Sequence, residues 1–299
     1  MKQLREKTMA ENKRDISITI RNLRPEDIVE VKKLCEMVHW PLTLQDIRRL
    51  YELEPLGWFC AEADNQYIGQ AMGMVMGSLG CIAMVVVRDD YRRKGVGTVL
   101  TAEALTYLRN KCIKTIRLDS TPEGYNIYKK LGFADEFPVY HYVTKVASTN
   151  KQWARIPEVK PMVVTDLEAA VEFDRRSFGD NRARVLKALF NDAKAFVIKR
   201  GSEIQGYVMY RDPGTRLCWL GPLVANEVLV AEKLLRRVLA ELSGKEIRLG
   251  VPTANPKATA LFEGLGFEKE FEIMRMVYGS KLEGENISFI FAEAGHEKS

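Results

Sequence analysis

Apolar positions along this chain recur at two periods, and the switching between them predicts an alternation of strands and helices. Residues 17–21 alternate as a strand with one buried face. Pro25-Glu26-Asp27 then opens a helix, because proline and acidic side chains suit a first turn whose backbone N–H groups lack partners. Its apolar stripe is Ile28, Val31, Leu34, Cys35 and Val38. A second helix is predicted over residues 44–53 and a strand over 58–62. Residues 91–97 form a basic, glycine-bearing loop that leads into a helix with Val96, Val99, Leu100, Ala104, Tyr107 and Leu108 facing inward. Ile116 and Leu118 alternate in a short strand over 115–119, and a helix over 124–130 is closed by Gly132. Residues 1–15 are charged and aperiodic, which predicts a flexible basic tail.

Residues 68–87 run for 20 positions without a charge, about the length that crosses a bilayer, and Gly73 and Gly77 even make a GxxxG pair. A membrane span is one reading. The other is a buried hairpin, residues 68–76 and 81–87 joined by Gly77-Ser78-Leu79-Gly80. Four glycines and a terminal Val85-Val86-Val87 favour strands over a helix, so no membrane is expected as a partner.

From Pro161 the same order returns. Asp166 answers Asp27, Gly206 answers Gly69 and Gly266 answers Gly132, at separations of 139, 137 and 134 residues. Residues 217–224 answer 81–87, and 246–251 answer 115–119. Two copies of one fold are therefore expected: a flexible tail over 1–15, a first domain over 16–148, a linker over 149–160, a second domain over 161–280 and an extension over 281–299. A chain of 299 residues is about twice the usual domain size of roughly 100 to 150, which agrees. The second copy has only Ala225-Asn226-Glu227 where the first has its basic loop.

Composition narrows the chemistry. The formal charge is +5, of which +3 lies within residues 1–14, so no basic face for nucleic acid is expected in the folded body. Five scattered cysteines without a CxxC pair suggest a reduced, cytoplasmic setting, and three histidines without ligand spacing predict no metal site.

Arg92-Arg93-Lys94-Gly95-Val96-Gly97-Thr98 follows an apolar strand and begins an amphipathic helix. A helix N-terminus carries unpaired N–H groups and about half a unit of positive charge, and glycines let an anion approach the backbone. This describes a cradle for a diphosphate. It is no Walker loop, lacking Gly-Lys-Ser/Thr, and no dinucleotide fingerprint, lacking the third glycine and the ribose acid.

The strand Met84-Val85-Val86-Val87, the Arg92-x-x-Gly95-x-Gly97 loop, the strand ending at Asp119, and Tyr128-Lys129-Lys130-Leu131-Gly132-Phe133 together resemble the GCN5-related N-acetyltransferase (GNAT) family. The string from Leu118 to Tyr128 is similar to a two-domain subgroup with a degenerate second half, and Asp174, Phe178, Gly179 and Arg182 resemble a string in that half. The resemblance implies an α/β (α+β) protein of tandem GNAT folds, each a mixed, largely antiparallel twisted sheet flanked by helices. It implies acetyl-CoA as cofactor, its diphosphate on the loop, its pantetheine arm along residues 84–87, with Thr121 and Tyr125 nearby, and Tyr128 beside the thioester sulfur. Thr121 stands where the family often has asparagine.

The resemblance further implies an N-acetyltransferase with Tyr128 as general acid, for which a phenol of reference pKa about 10 is matched to a thiol. No carboxylate lies in the strand before the loop, so the base is left among Asp119, Glu36, His39 and an ordered water, with Asp119 placed in the catalytic set. Trp40 and Pro41 are candidates to wall the acceptor pocket, and Asp174 and Arg182 either face substrate or form an ion pair. The expected acceptor is the primary amine of a small molecule, in a monomer or homodimer. A non-catalytic acyl-CoA sensor, or transfer to a protein lysine or N-terminal amine, are the alternatives.

Overall fold

The computed structural model describes residues 5–7, 17–146 and 152–295. The strands are β1 (Arg5–Lys7), β2 (Ile18–Asn22), β3 (Trp58–Ala63), β4 (Gln66–Met76), β5 (Leu79–Val87), β6 (Thr115–Ser120), β7 (Ala134–Lys145), β8 (Val159–Pro161), β9 (Lys194–Arg200), β10 (Glu203–Arg211), β11 (Leu217–Ala225), β12 (Glu246–Pro252), β13 (Glu268–Gly279) and β14 (Ile290–Ala292). The helices are α1 (Ile28–Met37), α2 (Leu44–Leu53), α3 (Val96–Asn110), α4 (Pro122–Lys130), α5 (Val164–Phe178), α6 (Ala183–Asp192), α7 (Val228–Glu241) and α8 (Pro256–Gly264). Of the predicted tail, Arg5–Lys7 pairs antiparallel with Ile18–Ile20 as an edge strand, and the remainder lies outside the described residues.

The uncharged run of residues 68–87 falls within the β4–β5 hairpin, and no helix among the described residues is long and apolar enough to cross a membrane. The turn is tighter than the sequence reading: only Gly77 and Ser78 are outside the strands, because Met76 pairs with Leu79. Gly80 belongs to β5, where a side chain would stand 3.0–3.2 Å from Leu108 and Ile113, so its bareness lets α3 sit on the sheet.

The strands form one mixed, mostly antiparallel sheet in the order β1-β2-β3-β4-β5-β6-β13-β7-β12-β11-β10-β9-β8, with β14 against β11. Only β5–β6 and β11–β12 are parallel. The two halves exchange their last strands. β13, late in the chain, lies between β6 and β7, and β7 in turn pairs with β12. β7, the first half's final strand, therefore does not pair with β6.

Three cores follow from this arrangement. Leu100, Ala104 and Leu108 of α3, with Tyr128 and Phe133, cover one face of the first half over Ile68, Ile82, Ile116 and Leu118. α7 and α8 do the same for the second half, with Leu234, Leu235, Val238 and Phe262 on Val208, Leu220 and Leu249. The third core holds α1 and α2 together with α5 and α6: Val31, Ile47, Leu50 and Trp58 share it with Phe173, Phe178, Leu186, Leu189 and Tyr207. A core contributed by both halves removes large aromatic and aliphatic surfaces from water, at about 1.5–3 kcal/mol per buried side chain, and so fastens the halves together.

Candidate functional site

The site begins where β5 and β6 part. The two strands pair only from Leu79–Cys81 to Thr115–Arg117, so β5 from Ile82 to Val87 has no partner strand on that side. At Met84 the backbone takes φ 57°, and Met72 pairs with Ala83 while Gln70 pairs with Val86, leaving Met84 and Val85 opposite Ala71 alone. This is a β-bulge, which bends a strand and turns backbone groups out of the ladder. Met84 is buried in the core shared by the halves, Val86 is buried, and Val85 and Val87 are half-exposed.

Beyond β5 comes a short 3-10 turn, Asp89–Tyr91, and then the basic loop. Arg93 and Gly95 both take left-handed φ, 60° and 80°, and Gly95 is the residue before α3. No backbone acceptor meets the N–H groups of Val96, Gly97 or Thr98, as expected of a first helical turn. A Cβ on Gly97 would meet Val87 and Ile127 only at 3.6 and 3.7 Å, so this turn lies between the end of β5 and α4. Arg92, Arg93 and Lys94 are exposed around it. Arg92 is held by the carbonyl of Val87 at 3.1 Å and by Asp89 at 2.9 Å, and Lys94 lies over the Tyr91 ring at 4.8 Å. These residues fit a diphosphate: free donors and three cations converge where glycine leaves room.

Tyr128 on α4 is buried, its ring edge-on to Phe133 with centroids 6.2 Å apart. Burial alone pushes its phenol up to about 12. Its hydroxyl has no hydrogen-bond partner among the described residues, and a Cβ at Gly124 would stand 3.2 Å from that oxygen and 2.7 Å from the ring. Tyr125 instead donates to Asp135 at 2.7 Å. Thr121 is exposed at the start of α4. The Glu123 carboxyl is held below its usual range first by its own backbone N–H and then by the Thr121 hydroxyl.

The side-chain geometry gives several of the expected site residues partners within the fold. Asp119 accepts from Nε and Nη2 of Arg275, both at 2.9 Å, and both side chains are 3% exposed. That carboxylate is thus clamped on both oxygens by one guanidinium. Of the two readings of Asp174 and Arg182, the ion pair is the one the side chains form. They form a bidentate pair at 2.9 Å, 1% and 2% exposed, with the Tyr207 hydroxyl also donating to Asp174 and the guanidinium over Phe178. Trp40 packs half-buried on the shared core, while Pro41 lines a cavity. Glu36 and His39 are exposed, and Glu36 pairs with Lys32 at 3.0 Å.

That cavity, about 510 Å³, lies at the seam of the halves between the α1–α2 connection and the β10–β11 turn. Arg49, Arg211 and Trp219 line it, residues that no sequence pattern marks because they meet only across the fold. None of the loop residues or Tyr128 lines it.

The second half repeats the splay and fills it. β11 pairs with β12 only from Leu217–Trp219 to Glu246–Arg248. Into the gap beyond comes β14, pairing Leu223 with Ala292 and Val224 with Ile290, while Glu293 N–H donates to Gly250 O at 2.9 Å on β12. Ile290–Ala292, within the predicted extension, thus belongs to the sheet of the second half. The slot that stands open beside β5 is here occupied by the chain itself.

The profile of the acetyltransferase (GNAT) family matches residues 26–133, and that of the acetyltransferase (GNAT) domain matches 170–292. A Bacillus subtilis protein named uncharacterized N-acetyltransferase YitH is 25% identical over 278 residues, 91% of this chain and 95% of that one. An N-alpha-acetyltransferase of Sulfurisphaera tokodaii is 27% identical over 153 residues, 44% of this chain and 90% of that protein. A solved structure from Pyrococcus horikoshii, assigned as an acetyltransferase, superimposes with a TM-score of 0.81 at 25% identity, covering 97% of this chain and 99% of that one. A tandem GNAT protein from the clavulanic acid biosynthesis pathway shares the fold, with a TM-score of 0.64 at 12% identity over 88% of this chain and 98% of its own.

Proposed function

The chain belongs to the GNAT family, with two such units in tandem, and from that premise we propose that it transfers the acetyl group of acetyl-CoA to the primary amine of a small molecule, using only its first half. The observation that carries this reading is the unpaired first turn of α3, set against the end of β5 where the sheet splays. Bound there, acetyl-CoA supplies an activated thioester.

The residues then divide the work. The N–H groups of Val96, Gly97 and Thr98, with Arg92, Arg93 and Lys94, hold the diphosphate. The unpartnered edge of β5 from Ile82 to Val87 receives the amides of the pantetheine arm as a strand would. Backbone N–H groups turned out at the Met84–Val85 bulge stabilise the negative charge that grows on the acetyl oxygen, where fixed donors contribute most. The neutral amine nitrogen bonds to the acetyl carbon as the carbon–sulfur bond breaks. Tyr128 gives its phenolic proton to the departing sulfur, and the surplus proton of the amine leaves to water. Asp119 takes no part in that transfer.

The relative named for N-alpha-acetylation favours a second acceptor, a polypeptide N-terminal amine. The seam cavity of about 510 Å³ favours a small molecule instead, since it falls within the usual range of ligand pockets. Calorimetric titration with acetyl-CoA tests the cofactor assignment. Micromolar binding by the native chain and its loss in Gly97→Glu, where the added carboxylate meets the cradle, are the expected results. Equal affinity in both proteins would overturn the cradle. Thiol release over matched amine and peptide panels then separates the two acceptors.

A further inference from the structure

Arg211 lines the seam cavity with most of its hydrogen-bonding capacity unused. Its side chain is 10% exposed, and Nη1 donates to Asp46 Oδ1 at 2.9 Å. Nε is buried and, like Nη2, meets no acceptor among the described residues. Asp46 cannot supply more, because it already serves Arg49, Thr43 and the Thr43 N–H. An arginine edge left free in a nearly buried wall costs desolvation energy unless a ligand meets it. Trp219 stands beside it, and both residues also line a water-sized void of about 10 Å³ whose other walls include His141 and Glu293. Glu293 in turn lies 2.8 Å from Arg275, the partner of Asp119 at the end of β6, so buried charged groups link the wall of that void to β6.

We propose that this cavity binds the acceptor by a carboxylate, to which the Nη2 group of Arg211 donates, with the Trp219 indole against the body of the molecule. A charged guanidinium donor favours a carboxylate over its neutral amide. The lining carries three cations, Lys32, Arg49 and Arg211, against three aspartates, Asp46, Asp192 and Asp212. A wall of balanced charge suits an amino-acid-like zwitterion and gives a polyamine no net attraction. The assignment of this ligand as the acceptor rests on the transferase reading; the carboxylate site itself does not.

Ligand-observed NMR without acetyl-CoA tests it, using the twenty standard L-amino acids and their carboxamides as probes, with spermidine alongside. Binding is expected among the acids, at least about tenfold weaker for the matching amide and in Arg211→Gln. Arg211→Lys, which keeps the charge and loses the fork, is expected to fall between, and thermal melts check that both variants fold. In turnover assays the bound acid is expected to show a raised KM in Arg211→Gln with kcat retained. Amides or spermidine binding as well as the acids, binding unchanged in Arg211→Gln, or no binding by any probe would overturn the carboxylate site. Failure of acetyl-CoA to bind would overturn the transferase reading and leave the NMR result standing.

Discussion

Arg275 and Asp119 stand 156 positions apart in the chain, yet the guanidinium donates to both oxygens of the carboxylate at 2.9 Å. They are register partners on β13 and β6, the point at which the second half enters the first half's sheet. Arg275 also lies 2.8 Å from Glu293, and one strand over, Arg117 donates to Glu136 and to both oxygens of Glu285. The exchange of strands is thus accompanied by buried charge, paired across the halves.

Removing one member of that group exposes its dependence on the others. Arg275→Met leaves Asp119 and Glu293 buried without their shared cation, and the expected loss is about 3–5 kcal/mol in urea unfolding. Because β13 of the second half lies between β6 and β7 of the first in one continuous sheet, calorimetry of the native chain is expected to show a single cooperative transition rather than one per half. Two separated transitions would contradict the exchange.

Tyr128→Phe separates chemistry from packing. The hydroxyl has no hydrogen-bond partner to lose, so stability is expected to stay within about 1 kcal/mol. Turnover is expected to fall about 100-fold or more with acetyl-CoA affinity retained. Full activity in the variant would reduce Tyr128 to a core residue.

Stability is expected to fall in alkali from the cores outward. Burial pushes the Cys60 thiol from 9.0 up to about 12, and the Tyr128 phenol from 10.0 up to about 12. A raised folded-state pKa contributes stability that is whole below the unfolded value and lost as pH climbs to the folded one. The window therefore runs from about 9 to 12, at a cost on the order of a few kcal/mol. Cys60→Ala is expected to flatten that limb of a stability–pH curve; an unchanged slope would contradict the assignment.

The acid limb has the opposite sign. Burial works to raise the Asp46 pKa, but Arg211, Thr43 and Arg49 outweigh it and hold the carboxyl well below its usual range. Its contribution is present above about pH 4 and is lost as pH falls. Asp46→Asn is expected to be less stable at neutral pH and to lose less between pH 4 and 2. Parallel acid curves would show that Asp46 does not govern this limb.

The strand filling the second splay depends on one bare position. Gly221 takes φ 141°, and a Cβ there would lie 1.9 Å from Glu293 O. Gly221→Ala is expected to cost at least about 2 kcal/mol and to speed hydrogen exchange at Ile290–Ala292, because β14 must shift. Slow exchange retained there would show that β14 tolerates the contact. Acetyl-CoA titration of the native chain is expected to give one site, not two.

The residues by themselves determined what short-range physics governs. Period-3.6 patterns announced α1 and α3, because they report which side of a helix faces a core, and the glycines with Val85-Val86-Val87 announced the β4–β5 hairpin. The basic loop and Gly95 announced the start of α3, and the family resemblance extended along the chain. Only the tertiary structure decided which strand lies beside which. β7 and β13 are pleated alike and each could pair within its own half, and nothing in their sequence marks the exchange. The same holds for ionic partners: Asp119, Asp174 and Arg182 carry the charges of a catalytic set, yet the fold pairs Asp119 with Arg275, and Asp174 with Arg182 and Tyr207, in buried contacts. A side chain's role depends on what the fold places within about 3 Å of it, and separation along the chain carries no record of that distance.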